Sequence, residues 1–352
     1  MSIEYLADLP LWANILLFVL AAAIVWLAGT QLVVYADELA ERFGLTRQFV
    51  GFILLATVTS LPEIVTTFTA SVAGDAALVL GNLLGGITFQ TALLGVADVF
   101  FVRYALTSWP RKPTHALEAI ILVVMLNFLL IVSFVGEVQL FWGIGLGAMV
   151  LSLSYPLAVS MLRGFDERGP WVPIDVPEEN DGEEGPMLGV NRLQDVAARN
   201  IIVPAIIASL LILFAGYFTA DRASVIAEQS GLGSSFIGLT LLAAATSTPE
   251  LSTTIAAVRM GAYTMAISNI FGSNLIMVAL ILPADMAYRS GPILLEIDNS
   301  ARLSISIGML VTAIYVAGIL IRRTPRLFGA GVDSISVLAI YAISIWLAYA
   351  SL

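Results

Sequence analysis

The sequence predicts an all-α polytopic membrane protein with ten transmembrane helices in two inverted five-helix repeats. The prediction rests on an apolar composition, ten apolar segments of membrane-spanning length and an internal repeat. Of 352 residues, 59% are hydrophobic and 12% are charged, and the mean hydropathy is +0.94. Soluble domains carry about a quarter charged residues. The chain is therefore expected to reside in a lipid bilayer.

Ten apolar segments are long enough to cross a hydrocarbon core of about 30 Å. An acidic stretch at 163–199, rich in Pro and Gly, separates five from five and is predicted to be a solvated cytoplasmic linker. The predicted halves are thus 1–162 and 200–352. The predicted spans are 11–34, 49–72, 78–100, 116–135, 139–162, 200–220, 235–258, 264–288, 302–321 and 332–350.

The distribution of basic residues predicts the orientation. With the N-terminus outside, 13 of the 16 basic residues fall in cytoplasmic loops, and Arg222, Arg289 and Arg302 face out. This satisfies the positive-inside rule and places both termini outside. The start of the chain lacks a basic n-region and a small-residue cleavage site, so 11–34 is predicted to be a retained span. We expect a multi-pass protein of a prokaryotic plasma membrane.

Several kinds of chemistry are disfavoured by what the sequence lacks. It has no Cys, and its single His, His115, is predicted to lie in the loop "WPRKPTH". Thiolate sites, His-cluster metal sites and Ser/His/Asp catalysis are therefore not expected. We expect no enzymatic activity, no cofactor and no nucleic-acid partner.

An internal repeat appears when the sequence is compared with itself at an offset of 187 residues. Residues 36–98 and 223–285 share 24 identities in 63 ungapped positions. Each copy covers two predicted helices, and five crossings separate the copies, so the two would enter the membrane from opposite sides. Inverted repeats of this kind place a substrate site near the midplane, where interrupted helices meet.

Each copy carries a stripe of small and polar residues at helical spacing, which is expected to face protein or water rather than lipid. A buried acid costs roughly 2.5 to 3.5 kcal/mol on insertion scales, and proline removes a backbone donor. Two such acids, one from each copy, would offer clustered oxygens to a single cation. The stripes are Ala56, Thr59, Ser60, Glu63, Thr66, Thr67 and Ala70, and Ala243, Thr246, Ser247, Glu250, Thr253, Thr254 and Ala257.

The segments "GFILLATVTSLPE" and "GLTLLAAATSTPE", followed by "GNLLGG" and "SNIFGSN", resemble the two alpha-repeats of the sodium/calcium exchanger family. The resemblance implies alternating-access exchange of calcium for sodium. It implies Glu63 and Glu250 as central ligands. Assisting oxygens would come from Thr59, Ser60, Thr246, Ser247 and the carbonyls of Ala56 and Ala243.

The second helix of each copy departs from the family pattern. Gly86 and Gln90 stand where Ser and Asn are expected, and Met277 stands where many exchangers carry Asp. Gln90 still offers an oxygen, whereas a thioether suits a hard cation poorly. Further ligands are predicted at Asn82, Gln90, Asn269 and Ser273. The repeated acids Asp98 and Asp285 are predicted to be interfacial or entrance charges.

Other functions stay open at this point. A proton-coupled calcium or other divalent antiporter fits the same residues, and a passive cation channel could also use paired midplane acids. A membrane-embedded enzyme is less favoured, because "GIGLGA" at 143–148 lies inside an apolar span with no preceding strand. The sequence leaves open the cation pair, the stoichiometry and the oligomeric state, and a monomer is compatible with it.

Overall fold

The computed structural model describes residues 9–110, 113–168, 199–230, 238–321, 324–327 and 329–350. It confirms a helical, multi-pass membrane protein. In these ranges eight helices are long and apolar enough to cross a membrane, and a bent pair, 50–59 with 61–73, makes up to nine crossings. The crossing predicted at 235–258 begins among residues outside those ranges. The count of ten, the outside termini and the linker therefore stay predictions.

The first half is built mainly of long helices. A short helix precedes the bent pair, whose first member begins with a π-helical turn, Val50–Leu55. Thr46 caps this segment by accepting a hydrogen bond from the backbone N–H of Phe49 at 3.1 Å. The helices are α1 (Leu11–Phe43), α2 (Arg47–Phe49), α3 (Ala56–Thr59), α4 (Leu61–Ala73), α5 (Ala76–Phe101), α6 (Thr114–Val135) and α7 (Leu146–Arg168).

The elements from residue 199 onward again begin with a long helix. A π-helical turn, Gly238–Leu242, again precedes a pair of short helices. A small antiparallel hairpin, β1 (Arg326–Leu327) with β2 (Ala330–Gly331), leads into the last helix. The helices are α8 (Arg199–Ser230), α9 (Ala243–Thr246), α10 (Thr248–Arg259), α11 (Tyr263–Ala279), α12 (Ile281–Ala287), α13 (Asn299–Ile321) and α14 (Val332–Ala350).

The predicted boundaries of the fifth span are wrong at both ends. Its helix, α7, begins at Leu146 rather than 139 and continues to Arg168 rather than stopping at 162. Residues 139–145 instead form a turn in which Gln139 pairs antiparallel with Gly145. Trp142 has a φ of 59°, which ends any regular helix there. His115 is likewise not in a loop, since it lies in the first turn of α6.

The helices that follow the two motifs form the centre of the molecule. In the apolar 18-residue stretch of α5, 83% of the residues are buried, and in that of the continuous segment α11–α12 the share is 89%. In the corresponding stretches of α1 and α8, only 22% of the residues are buried. Apolar side chains on these outer helices are thus available to lipid, while α5 and α11 position polar residues in the interior.

Close glycine contacts join the two motif regions. A Cβ built on Gly51 would lie 2.5 Å from the carbonyl oxygen of Met265, and one on Gly272 would lie 2.6 Å from that of Phe52. The equivalent positions in the other motif, Gly238 and Gly85, approach the backbone of Leu78 and Leu239 in the same way. Backbone therefore packs on backbone between the motifs, which brings their polar stripes together.

Candidate cation-binding site

Both motifs interrupt the helix at the same serine. Ser60 (φ −78°, ψ 3°) separates α3 from α4, and Ser247 (φ −82°, ψ 12°) separates α9 from α10. Pro62 and Pro249 lie in the first turn of the new helix, where a missing N–H leaves no hydrogen bond unmade. The proline therefore restarts the helix after a break instead of kinking a continuous one.

The break places each glutamate in the first turn of a helix, deep in the protein. Glu63 and Glu250 are both fully buried. The partial positive charge of a helix N-terminus favours an anionic side chain there. Of the two stripes, thirteen residues are buried and Thr66 is half-buried, so the stripes face the protein interior as predicted.

Ser273 connects the two motifs. Its hydroxyl donates to Oε1 of Glu250 at 3.1 Å and lies 3.1 Å from the hydroxyl of Ser60. It also lies 3.5 Å from the hydroxyl of Thr59 and from the carbonyl oxygen of Ala56. One buried serine of α11 therefore touches the predicted ligands of the first motif and the acid of the second.

Gln90 makes the corresponding connection from the other side. Its Nε2 donates to the hydroxyl of Ser247 at 3.1 Å, and that hydroxyl lies 3.5 Å from Oε1 of Glu63. The hydroxyl of Thr246 donates to Oδ1 of Asn82 at 3.3 Å. The structure thus places predicted ligands from both motifs in two buried hydrogen-bonded networks, one at each glutamate, and the two glutamates interact electrostatically.

Several buried oxygens of this region have no hydrogen-bond partner. They include Oε2 of Glu63, Oε2 of Glu250, Oε1 of Gln90 and Oδ1 of Asn269. Asn269 meanwhile donates its amide to the hydroxyl of Thr253 at 3.0 Å. Buried polar atoms normally have a partner, and buried carboxylates pair or bind metal ions. Unsatisfied oxygens with two acids are the chemistry that suits a hard cation.

The carbonyls predicted as ligands at Ala56 and Ala243 already accept hydrogen bonds. That of Ala56 accepts from the backbone N–H of Ser60 at 3.0 Å, and that of Ala243 from Ser247 at 3.1 Å. A carbonyl oxygen has a second lone pair, so each can still face an ion. Across the described residues no group of three or more His, Cys, Asp or Glu side chains could hold a metal. Any ion here must be bound by neutral oxygens as well as the two acids.

The two motifs differ at one pair of positions. Gly86 and Gln90 in α5 correspond to Ser273 and Met277 in α11. A Cβ built on Gly86 would lie 2.6 Å from Cε of Met277, which is fully buried. The thioether of Met277 therefore occupies the space beside Gly86. At the corresponding position of the second motif, the side chain is the hydroxyl of Ser273.

Two features of the site region were missed by sequence reasoning or assigned wrongly. Asn274 donates to the hydroxyl of Thr91 at 3.2 Å and keeps an unpartnered Oδ1 beside the site on α11. Its place in "SNIFGSN" was a usable signal. Asp98 and Asp285 are not entrance charges, because both are buried and accept backbone hydrogen bonds, from Leu106 and Ile293 respectively, each at 2.6 Å.

Comparisons with known proteins agree with the geometry. The family model for "Sodium/calcium exchanger protein" matches residues 13–159 and 201–350. The inner membrane protein YrbG of Escherichia coli is 27% identical over 94% of this chain and 95% of its own. The sodium/calcium exchanger MaX1 of Methanosarcina acetivorans is 35% identical over 26% of each chain.

A solved structure of the sodium-calcium exchanger NCX_Mj, soaked with sodium and strontium, has a TM-score of 0.69 and 18% identity. The match covers 96% of this chain and 99% of that one. At this identity the likeness shows a common fold.

Proposed function

Because the chain belongs to the sodium/calcium exchanger family, a family of membrane cation antiporters, we propose that it exchanges calcium against sodium by alternating access. The transported ions would bind between the two motifs, at Glu63 and Glu250. Calcium and sodium are the cargo, and no resident cofactor takes part.

The observation that carries this proposal is the pair of fully buried glutamates, each with one unpartnered carboxylate oxygen. The acids come from different motifs and interact electrostatically, and each contacts residues of the opposite motif, Glu63 through Ser247 and Glu250 through Ser273 and Ser60. Calcium takes six to eight oxygen ligands, more than either motif offers alone. When residues of both motifs bind the ion, its affinity depends on how the two motifs are placed relative to each other. Alternating access requires such a dependence.

The surrounding oxygens fit this role. The hydroxyls of Thr59 and Thr246, the amide oxygens of Gln90, Asn82 and Asn269 and the carbonyls of Ala56 and Ala243 are neutral ligands in this proposal. They complete coordination without adding charge. Sodium would use subsets of the same oxygens after calcium leaves.

Charge leads to a hypothesis on stoichiometry. Glu63 and Glu250 together supply about −2, which balances one calcium ion or two sodium ions. Exchange is then expected to approach electroneutrality, because Met277 adds no third acid. Calcium flux in proteoliposomes should change little when the membrane voltage is clamped at opposite signs. A steep voltage dependence would refute this stoichiometry while leaving the site itself intact.

The site is tested by isotopic calcium uptake into proteoliposomes under imposed sodium, proton or potassium gradients. Wild type should need an opposed sodium gradient, and Glu63→Gln and Glu250→Gln should each abolish counter-gradient uptake. Glu296→Gln, which neutralises an exposed acid, is the matched control and should transport normally.

Each alternative has its own signature in the same assay. A proton gradient that replaces sodium would indicate a proton-coupled antiporter. Calcium uptake that does not depend on any imposed sodium, proton or potassium gradient would indicate a channel. Normal transport by both glutamine variants would rule out the proposed ligands.

A further inference from the structure

A second pair of buried carboxylates lies outside the site described above. Asp98 is near the end of α5 and is fully buried, and Asp333, the second residue of α14, is 6% exposed. Asp98 belongs to the repeated segment, whereas Asp333 does not. The proposed exchange uses neither residue.

The two carboxylates converge at the hairpin that precedes α14. The backbone N–H of Gly331 donates to Oδ2 of Asp98 at 2.8 Å. A Cβ built on Gly331 would collide with Oδ1 of Asp333 and lie 3.2 Å from Oδ2 of Asp98. Both carboxylates therefore approach the same glycine backbone. Two carboxylates that lie this near each other can share a single ion.

Described residues supply hydrogen bonds to these acids but no positive charge. Asp98 accepts from the N–H of Leu106 at 2.6 Å, and Asp333 accepts from the hydroxyl of Thr107 at 2.6 Å. Arg326, on the adjoining strand β1, donates to the carbonyl of Val102 at 3.2 Å. Among the residues that the structure describes, no ion pair involves either aspartate. Two buried negative charges without a counter-charge are strongly unfavourable.

A buried hydroxyl with no hydrogen-bond partner lies near this pair. Tyr315 of α13 is fully buried, its hydroxyl makes no hydrogen bond, and it interacts electrostatically with both Asp98 and Asp333. The hydroxyl of Ser334 is also fully buried and interacts with Asp98. Each carboxylate oxygen keeps a free lone pair after its one hydrogen bond. The oxygens present are of the number and kind that a calcium-like ion takes.

We propose that Asp98, Asp333 and the hydroxyls of Tyr315 and Ser334 bind a second divalent cation of the calcium class. The ion would neutralise the pair and fasten the start of α14 to α5 and α13. This site is separate from the transported ions, so it does not depend on the proposed exchange.

The internal repeat supplies a matched control. Asp285, the counterpart of Asp98, accepts from the N–H groups of Ile293 and Gly145, each at 2.6 Å. No described acid faces it as Asp333 faces Asp98. Loss of its charge should perturb packing to a similar degree without removing an ion.

The test is equilibrium binding of isotopic calcium to the purified full chain that carries Glu63→Gln and Glu250→Gln. With the first site neutralised, about one calcium per chain should still bind. Asp333→Asn should weaken this binding at least about tenfold, since it replaces a charged ligand by a neutral amide, and Tyr315→Phe by roughly threefold, since it removes a neutral hydroxyl ligand. Asp285→Asn should leave it unchanged.

Every other outcome overturns the proposal. No residual calcium would mean that a shared proton, or Arg322 or Arg323 outside the described ranges, supplies the counter-charge. Residual binding that survives Asp333→Asn would place the ion elsewhere. If Asp333→Asn fails to fold by size-exclusion chromatography, Tyr315→Phe, which removes one unpartnered hydroxyl, decides the question. Because the background lacks both glutamates, failure here says nothing against the proposed exchange.

Discussion

Glu250 accepts a hydrogen bond from Ser273 of its own motif and also interacts with Thr59 of the other motif, whereas the hydroxyl partners described for Glu63, Thr246 and Ser247, both belong to the other motif. The difference follows from one position, because the counterpart of Ser273 in the first motif is Gly86. Any movement between the motifs would therefore disturb Glu63 directly and Glu250 less. Two similar segments thus give one acid that is held partly by its own motif and one whose hydroxyl partners all come from the other motif.

The largest effect is expected from a substitution at Ser273 that removes the difference between the two motifs. Ser273→Gly makes the second motif resemble the first and leaves Oε1 of Glu250 without its donor. A hydrogen bond to a charged group contributes about 1.5 to 3 kcal/mol, so calcium affinity should fall roughly 10- to 100-fold. Calcium titration of purified protein by calorimetry measures this change. An affinity within about twofold of wild type would show that Ser273 does not position Glu250.

A smaller effect is expected from the glycines that join the motifs. Gly51→Ala would place a methyl group 2.5 Å from a backbone oxygen, whereas the equivalent Gly238→Ala would leave 3.2 Å. Overpacking typically costs about 1 to 3 kcal/mol, and the cost should be high in the first case and low in the second. Thermal unfolding in detergent should show a clearly lower midpoint for Gly51→Ala. Equal midpoints would mean that the two contacts relax alike.

The sequence was sufficient for the features that the two motifs share. Glu63 and Glu250 could be found because an acid in an apolar segment is unfavourable, and the same acid occurs twice with the same neighbours. This inference needs composition and spacing alone.

Features that depend on packing between distant segments could not be found in this way. The contact between Gly86 and Met277 requires the two helices to be placed, and Asp333 lies outside the repeat, so self-comparison never pairs it with Asp98. The start of the fifth crossing was wrong because 139–145 is apolar by composition. Its backbone nevertheless turns there, with positive φ at Trp142 and Gly143. These φ angles prevent an α-helix at 139–145 even though the residues are apolar.

A more modest loss should follow Gln90→Met, which makes the first motif resemble the second. The change keeps side-chain volume but removes the donor to Ser247 and one unpartnered oxygen. A neutral hydrogen bond contributes about 0.5 to 1.5 kcal/mol, so calcium affinity should fall roughly 2- to 12-fold. The same titration measures it, with Met277→Leu as a control that should change little. A larger loss in the control would place the thioether itself at the ion.

The smallest effect is expected from Gly86→Ser, which restores in the first motif the hydroxyl that Ser273 provides in the second. The new side chain would meet Cε of Met277 at 2.6 Å, and this is the flexible end of an unbranched side chain, so stability should fall by less than about 1 kcal/mol. Combining it with Met277→Ala removes the collision. By analogy with the 3.1 Å contact between Ser60 and Ser273, the introduced hydroxyl should then reach Ser247. Relative to Met277→Ala alone, the double variant should bind calcium about two- to threefold more tightly, which corresponds to roughly 0.5 kcal/mol. A fall below that of Met277→Ala alone would show that the two motifs are not interchangeable at this position, and that the asymmetry between Gly86 and Ser273 is itself required for binding.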